Sequence, residues 1–136
     1  MDIVINYLAV LVAAVLNMVV GFFWYGPVFG KMWKDLMGFT DQSMQNMKLT
    51  ATQAMIGGFI TSLIMAYVLA HFVVIYGAVG IAGAFELAFW IWLGFMATVC
   101  LGSFLWEGKS FKLFLLNTAN QFVSLFLMTV VLVMWQ

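Results

Sequence analysis

From Ile3 to Trp24 the chain reads IVINYLAVLVAAVLNMVVGFFW, with no charged side chain. A run of this length is what a helix needs to cross a hydrocarbon core about 30 Å thick. Three more such segments follow, at about 54–76, 84–105 and 113–135. Inside lipid every backbone donor and acceptor must be paired within the protein, which leaves helices or a closed barrel. Barrel strands are about ten residues of alternating polarity, whereas these segments stay apolar over twice that length. The sequence therefore predicts an all-α fold: an integral membrane bundle of four transmembrane helices, forming one membrane domain over 1–136. Composition agrees, because only 7% of the 136 residues are charged and 66% are hydrophobic. A water-facing domain carries about 25% charged residues, so this surface must face lipid.

The connections fix the expected orientation. The first, about 26–53, carries Lys31, Lys34 and Lys48, and the third, 106–112, carries Lys109 and Lys112. The second, YGAVGIAG from Tyr76 to Gly83, is short and uncharged. All the lysines thus fall on one side of a four-span chain. Positive residues favour the cytoplasmic side. This predicts loops 26–53 and 106–112 inside a bacterial cytoplasmic membrane, both termini outside, and no dual topology. The N-terminus MDIVINYLAV lacks a basic n-region, so the first segment is expected to remain in the mature protein.

Aromatic anchors and lysines mark the inner boundary. Trp24, Tyr25 and Trp106 suit the headgroup level. Pro27 is expected to end the first helix. Beyond it, Phe29, Met32, Trp33, Leu36 and Met37 recur near helical spacing beside Lys31 and Lys34. That pattern predicts a short amphipathic helix lying in the interface, with each lysine contributing about 1 kcal/mol against an anionic leaflet. Gly38 would end it. Thr40 would N-cap a further helix through TDQSMQNMKLTATQ into the second span. Tyr7, Tyr76 and Trp135 would mark the outer boundary.

Small residues point to close helix contact. They recur every four positions as Ala54, Gly58, Ser62, Ala66 and Ala70, and as Ala9, Ala13, Asn17 and Gly21. These two faces are expected to turn inward. The row Glu86, Trp90, Gly94, Thr98, Gly102 suits either a contact or a cavity wall.

Polar groups inside a membrane are costly and therefore candidates for function. Glu86 and His71 fall at similar depth near the outer side, where a pair would hold a proton or a cation. Asn117, Asn120, Gln121 and Ser124 lie at i, i+3, i+4 and i+7, one polar face of the fourth helix. Asn17 lies at mid-depth and can meet that face. Two readings compete: interhelical hydrogen bonds of about 0.6 kcal/mol each, or a polar path open to the inside with Trp24, Tyr25 and Glu107 at its mouth. Two ionisable groups are too few for a metal site, and the Met44/Met47 pair reads as apolar filler. Cys100 is the single cysteine, excludes an intramolecular disulfide, and reads as an inert buried thiol. Zero net charge gives no field for nucleic acid. No phosphate-binding, dinucleotide or hydrolase motif occurs, so no cofactor is expected.

The chain resembles the bacterial domain of unknown function 1761 family. The resemblance rests on Trp24, Tyr25, Pro27, Gly30, Lys31 and Trp33 near the first helix, on AYVLAHF with His71, and on FWIWLGFMAT. It continues through FLWEGKSFKLFLLNTANQFVSLFLM with Glu107, Lys112 and Asn117. The chain departs from the pattern at Ala119-Asn120 and at Lys109-Ser110. The resemblance implies four helices in a bacterial membrane and no stated activity. Three functions then compete: a transport or permeation module for a small molecule or ion; a non-catalytic scaffold or lipid-binding module; and a membrane-embedded enzyme with His71, Glu86 and Glu107 as its acid–base groups. Membrane lipids are the expected partners, with a second copy of the chain completing a homo-oligomer.

Overall fold

The computed structural model describes residues 3–46 and 48–135. Among them all regular structure is helical. Four helices are long and apolar enough to cross a membrane: span one Tyr7–Val28, span two Ala51–Tyr76, span three Gly80–Leu105 and span four Phe111–Met134. At about 1.5 Å per residue each exceeds about 30 Å. The chain is an integral membrane four-helix bundle. A separate amphipathic helix, Gly30–Met37, follows span one, and a single short turn of helix, Asp41–Gln45, follows that.

The helix ends are set by caps that hydrophobicity does not register. Span one starts at Tyr7, later than position 3, because the Asn6 side chain accepts from the Leu8 and Ala9 amides. Span two starts at Ala51, earlier than 54. There Thr50 accepts from the Gln53 amide while the Gln53 side chain accepts from the Thr50 amide, a reciprocal capping box. The continuous helix expected from Thr40 into span two is not formed. Thr40 does cap, accepting from the Ser43 amide, but that helix stops at Gln45 and a new one begins at Ala51. Span four starts at Phe111 under the Ser110 side chain. Of the Met44/Met47 pair, Met47 lies outside the described residues.

Pro27 does not stop span one. The helix widens into a π turn, Trp24–Val28, with Pro27 inside it, closed by the Phe29 amide donating to the Trp24 carbonyl at 2.9 Å. A five-residue spacing lets the chain pass a residue that has no N–H to give. Span three carries a second π turn, Trp92–Ala97, which the sequence analysis did not foresee.

Span four is the centre of the bundle. It packs closely against spans one and three and more lightly against span two, while span two packs on span one. The small-residue faces turn inward over part of their length: Ala9, Ala13, Ser62, Ala66 and Ala70 are buried, where their size lets the backbones approach. Gly21 and Gly58 are half-buried, and Ala54 is exposed because span two diverges there. The row on span three behaves otherwise. Glu86, Trp90, Gly94 and Thr98 are exposed, and Ala84, Leu87, Ala88 and Ala97 are buried in their place.

Loops 26–53 and 106–112 share one end of the bundle, the lysine end. Ile3 and Trp135 share the other, tied by the Asn6 amide group donating to the Trp135 carbonyl at 3.1 Å. Toward the lysine end span two leaves the bundle: every residue from 51 to 57 is exposed.

Candidate functional site

The departure of span two opens a lateral groove of about 1090 Å³ between it and span one. Its walls are mostly apolar, from Val15, Met18, Phe22, Met55, Ile56 and Ile60. Its floor is polar: Asn17, Ser62 and Asn120. These three come from spans one, two and four, so the floor exists only once the bundle has assembled.

Asn17 ties three helices together. Its Nδ2 donates to Ser62 Oγ at 2.7 Å, and its Oδ1 accepts from the Ser124 hydroxyl. Ser62 passes its own proton to the Gly58 carbonyl at 2.8 Å. Each of these groups has a partner, which is what a water-free environment demands.

Nearer the lysine end lies a second cluster. The Tyr25 hydroxyl donates to Asn117 Oδ1 at 2.8 Å and lies within hydrogen-bonding reach of the Asn120 side chain. Gln121 Nε2 approaches Cys100 Sγ at 3.3 Å. Asn120 Oδ1 is shut off from solvent and has no partner. A buried acceptor left unpaired costs about 1–3 kcal/mol. Turning the amide over merely exchanges an orphan acceptor for an orphan donor.

The polar face predicted on span four is therefore split by role. Asn117, Gln121 and Ser124 are used in contacts between helices. Asn120 is left over, and it faces the groove.

Two of the aromatic anchors, Trp24 and Tyr25, turn toward span four. Trp24 and Trp92, the first residues of the two π turns, donate their indole N–H groups to span four, to the Leu116 carbonyl at 3.1 Å and the Thr118 carbonyl at 2.8 Å. The sequence offered no signal for this beyond the tryptophans themselves. Trp33 of the amphipathic helix packs on Tyr25 and Phe39, with ring centroids 5.4 and 5.3 Å away. Trp106 is 88% exposed, as an interfacial anchor would be. Lys31 and Lys34 line a cleft of about 460 Å³ with Tyr25, Asp35 and Thr40.

At the outer end, His71 and Glu86 each have a neighbour of their own. His71 Nδ1 lies 2.9 Å from the carbonyl of Tyr67, and its ring packs edge-on to Tyr67. Glu86 is exposed, beside the Tyr76 hydroxyl. Among the described residues no three His, Cys, Asp or Glu side chains cluster.

A family model described as "Protein of unknown function (DUF1761)" matches residues 8–133. The chain belongs to the DUF1761 family. No curated protein and no solved structure matches it. The matched region takes in all of spans two and three, the groove and the lysine cleft, so in this DUF1761 protein both belong to the family domain itself.

Proposed function

We propose that the protein is a lipid-binding membrane module whose lateral groove holds one membrane amphiphile. The observation that carries this reading is the large, mostly apolar groove that opens sideways between spans one and two, with a few polar groups on its floor. The reading includes a bacterial cytoplasmic membrane, termini outside and the lysine end inside, on the strength of the lysine bias.

Gly21 lines the groove and has open space where a Cβ would stand, so Gly21→Leu fills the groove without a clash at the backbone. In nanodiscs, a phospholipid with a photoreactive acyl chain should crosslink chiefly to spans one and two around Met18 and Ile56. Gly21→Leu should lower that yield several-fold. Crosslinks spread evenly round the bundle, and unchanged by the substitution, would sink the reading.

Two other readings each have an observation behind them. The Asn17, Ser62 and Ser124 network reaches mid-depth from the groove floor, which favours a permeation module. That reading requires flux in proteoliposomes that falls in Asn120→Leu and Glu86→Gln. The exposed stretch 51–57 would alternatively be covered by a second copy of the chain, giving a homo-oligomer. Native mass spectrometry from nanodiscs would then show a dimer or larger, with no retained amphiphile.

A further inference from the structure

The groove stops short of the lysine end, and the cleft begins where it stops. Asn17, Gly21 and Tyr25 recur every four residues and so share one face of span one. Asn17 and Gly21 line the groove, while Tyr25 lines the cleft. One helical turn, about 6 Å, separates Gly21 from Tyr25. On span four Asn117 bonds Tyr25 and Asn120 lines the groove, so span one contributes to both spaces and span four braces it beside them. Trp24 reaches the Leu116 carbonyl, which puts Asn117 and Asn120 within about a turn of the level where span one leaves the bundle.

The cleft has the opposite chemistry to the groove. Lys31 and Lys34 are i and i+3 on the helix Gly30–Met37, hence neighbours on one face. Asp35 is the one carboxylate among the lining residues, so their net charge is +1. Gly30 holds this helix hard against span one, since a Cβ there would stand 2.8 Å from the Tyr25 carbonyl oxygen. Trp33, one turn on and packed between Tyr25 and Phe39, fastens the same face of the helix. The lysines are thus carried on an element braced against the groove's own wall.

We infer that cleft and groove are two parts of one site, which takes an anionic, phosphate-headed lipid. The phosphate lies between Lys31 and Lys34, and the chain lies in the groove between spans one and two. This rests on the lipid-binding reading above and adds the charge and the orientation. The ligand enters from the leaflet at the lysine end with its head already at the correct depth, so no inversion of the lipid is needed. Two exposed lysines recognise it largely through charge, so the preference weakens as salt rises.

The test compares oleoyl lysophosphatidic acid with oleoyl lysophosphatidylcholine, which share a chain and a hydroxyl and differ in head charge. Each is added to the protein in nanodiscs of zwitterionic lipid, and the retained fraction is read by native mass spectrometry. The wild-type chain should retain the anionic lipid about tenfold better. Lys31→Gln with Lys34→Gln should erase that preference and leave retention of the zwitterionic lipid unchanged. Lys48→Gln, which removes a lysine outside the cleft, should preserve the preference, and Gly21→Leu should lower retention of both lipids. Equal retention of the two by wild type overturns the inference while leaving the lipid-binding reading intact. Retention of neither overturns both. A preference that survives loss of Lys31 and Lys34, or falls equally with Lys48→Gln, overturns the assignment to the cleft. Full displacement of the anionic lipid by equimolar inorganic phosphate would make the cleft a site for the free ion instead.

Discussion

A methyl group at position 30 would stand 2.8 Å from the Tyr25 carbonyl oxygen, closer than carbon and oxygen can pack. At Gly26, four residues earlier, the same methyl meets nothing within 4 Å. Gly30→Ala should therefore destabilise by about 1–3 kcal/mol, the usual cost of overpacking. Gly26→Ala should be neutral or stabilise by up to about 1 kcal/mol through the unfolded chain. Unfolding by detergent titration, followed by helical circular dichroism, separates the two. The asparagines make a second contrast. Asn17→Leu strips Ser62 and Ser124 of a partner and should destabilise by about 1–2 kcal/mol. Asn120→Leu removes an orphan acceptor, so it should stabilise the lipid-free protein. An Asn120→Leu protein less stable than wild type in detergent would show that Asn120 has a structural partner instead.

Elements read from hydrophobicity alone were legible; their ends and their irregularities were not. The four spans follow from long uncharged runs, and the amphipathic helix from Met32, Trp33 and Leu36 beside the lysines. The ends depended on Asn6, Thr50 with Gln53, and Ser110, whose side chains close hydrogen bonds that an apolar pattern does not register. The π turns were illegible for a related reason: an extra residue in a turn leaves composition unchanged. In the polar face of span four, spacing placed Asn117, Asn120, Gln121 and Ser124 together. Which one would lack a partner depended on Tyr25, Cys100 and Asn17, all distant in sequence. The capping box at Thr50 is the best-defined tie at the start of the exposed stretch 51–57. Thr50→Ala, a loss of about 1 kcal/mol, should speed amide exchange from 51 to 57 and leave residues after Ser62 unaffected. Equal acceleration along the whole of span two would mean that its inner half is packed after all.

At the scale of the molecule, the lysine bias makes an orientation measurable. Single cysteines placed at Lys48 and Lys109, in a Cys100→Ser background, should react with an impermeant maleimide only after the membrane is opened. A cysteine at Val79 should react at once in spheroplasts. The reverse pattern would invert the protein and move the lysine cleft to the outer leaflet. The interior also distributes its ties unevenly. Trp24 and Trp92 reach span four from spans one and three at carbonyls two residues apart. Two positions on a helix are separated by about 200°, so these indoles grip span four from nearly opposite sides. Span four cannot slide by a turn without releasing both. Span two has no such grip toward the lysine end, where its last anchored polar contact is the Ser62 hydroxyl. The protein is thus built as a frame and an arm: spans one, three and four are the frame, and the first turns of span two, exposed as far as Gly57, stand out from it beyond the Ser62 contact. Spin-label distances from position 52 to span four should be broad and should narrow when lipid is bound, while those from span one to span four stay sharp throughout.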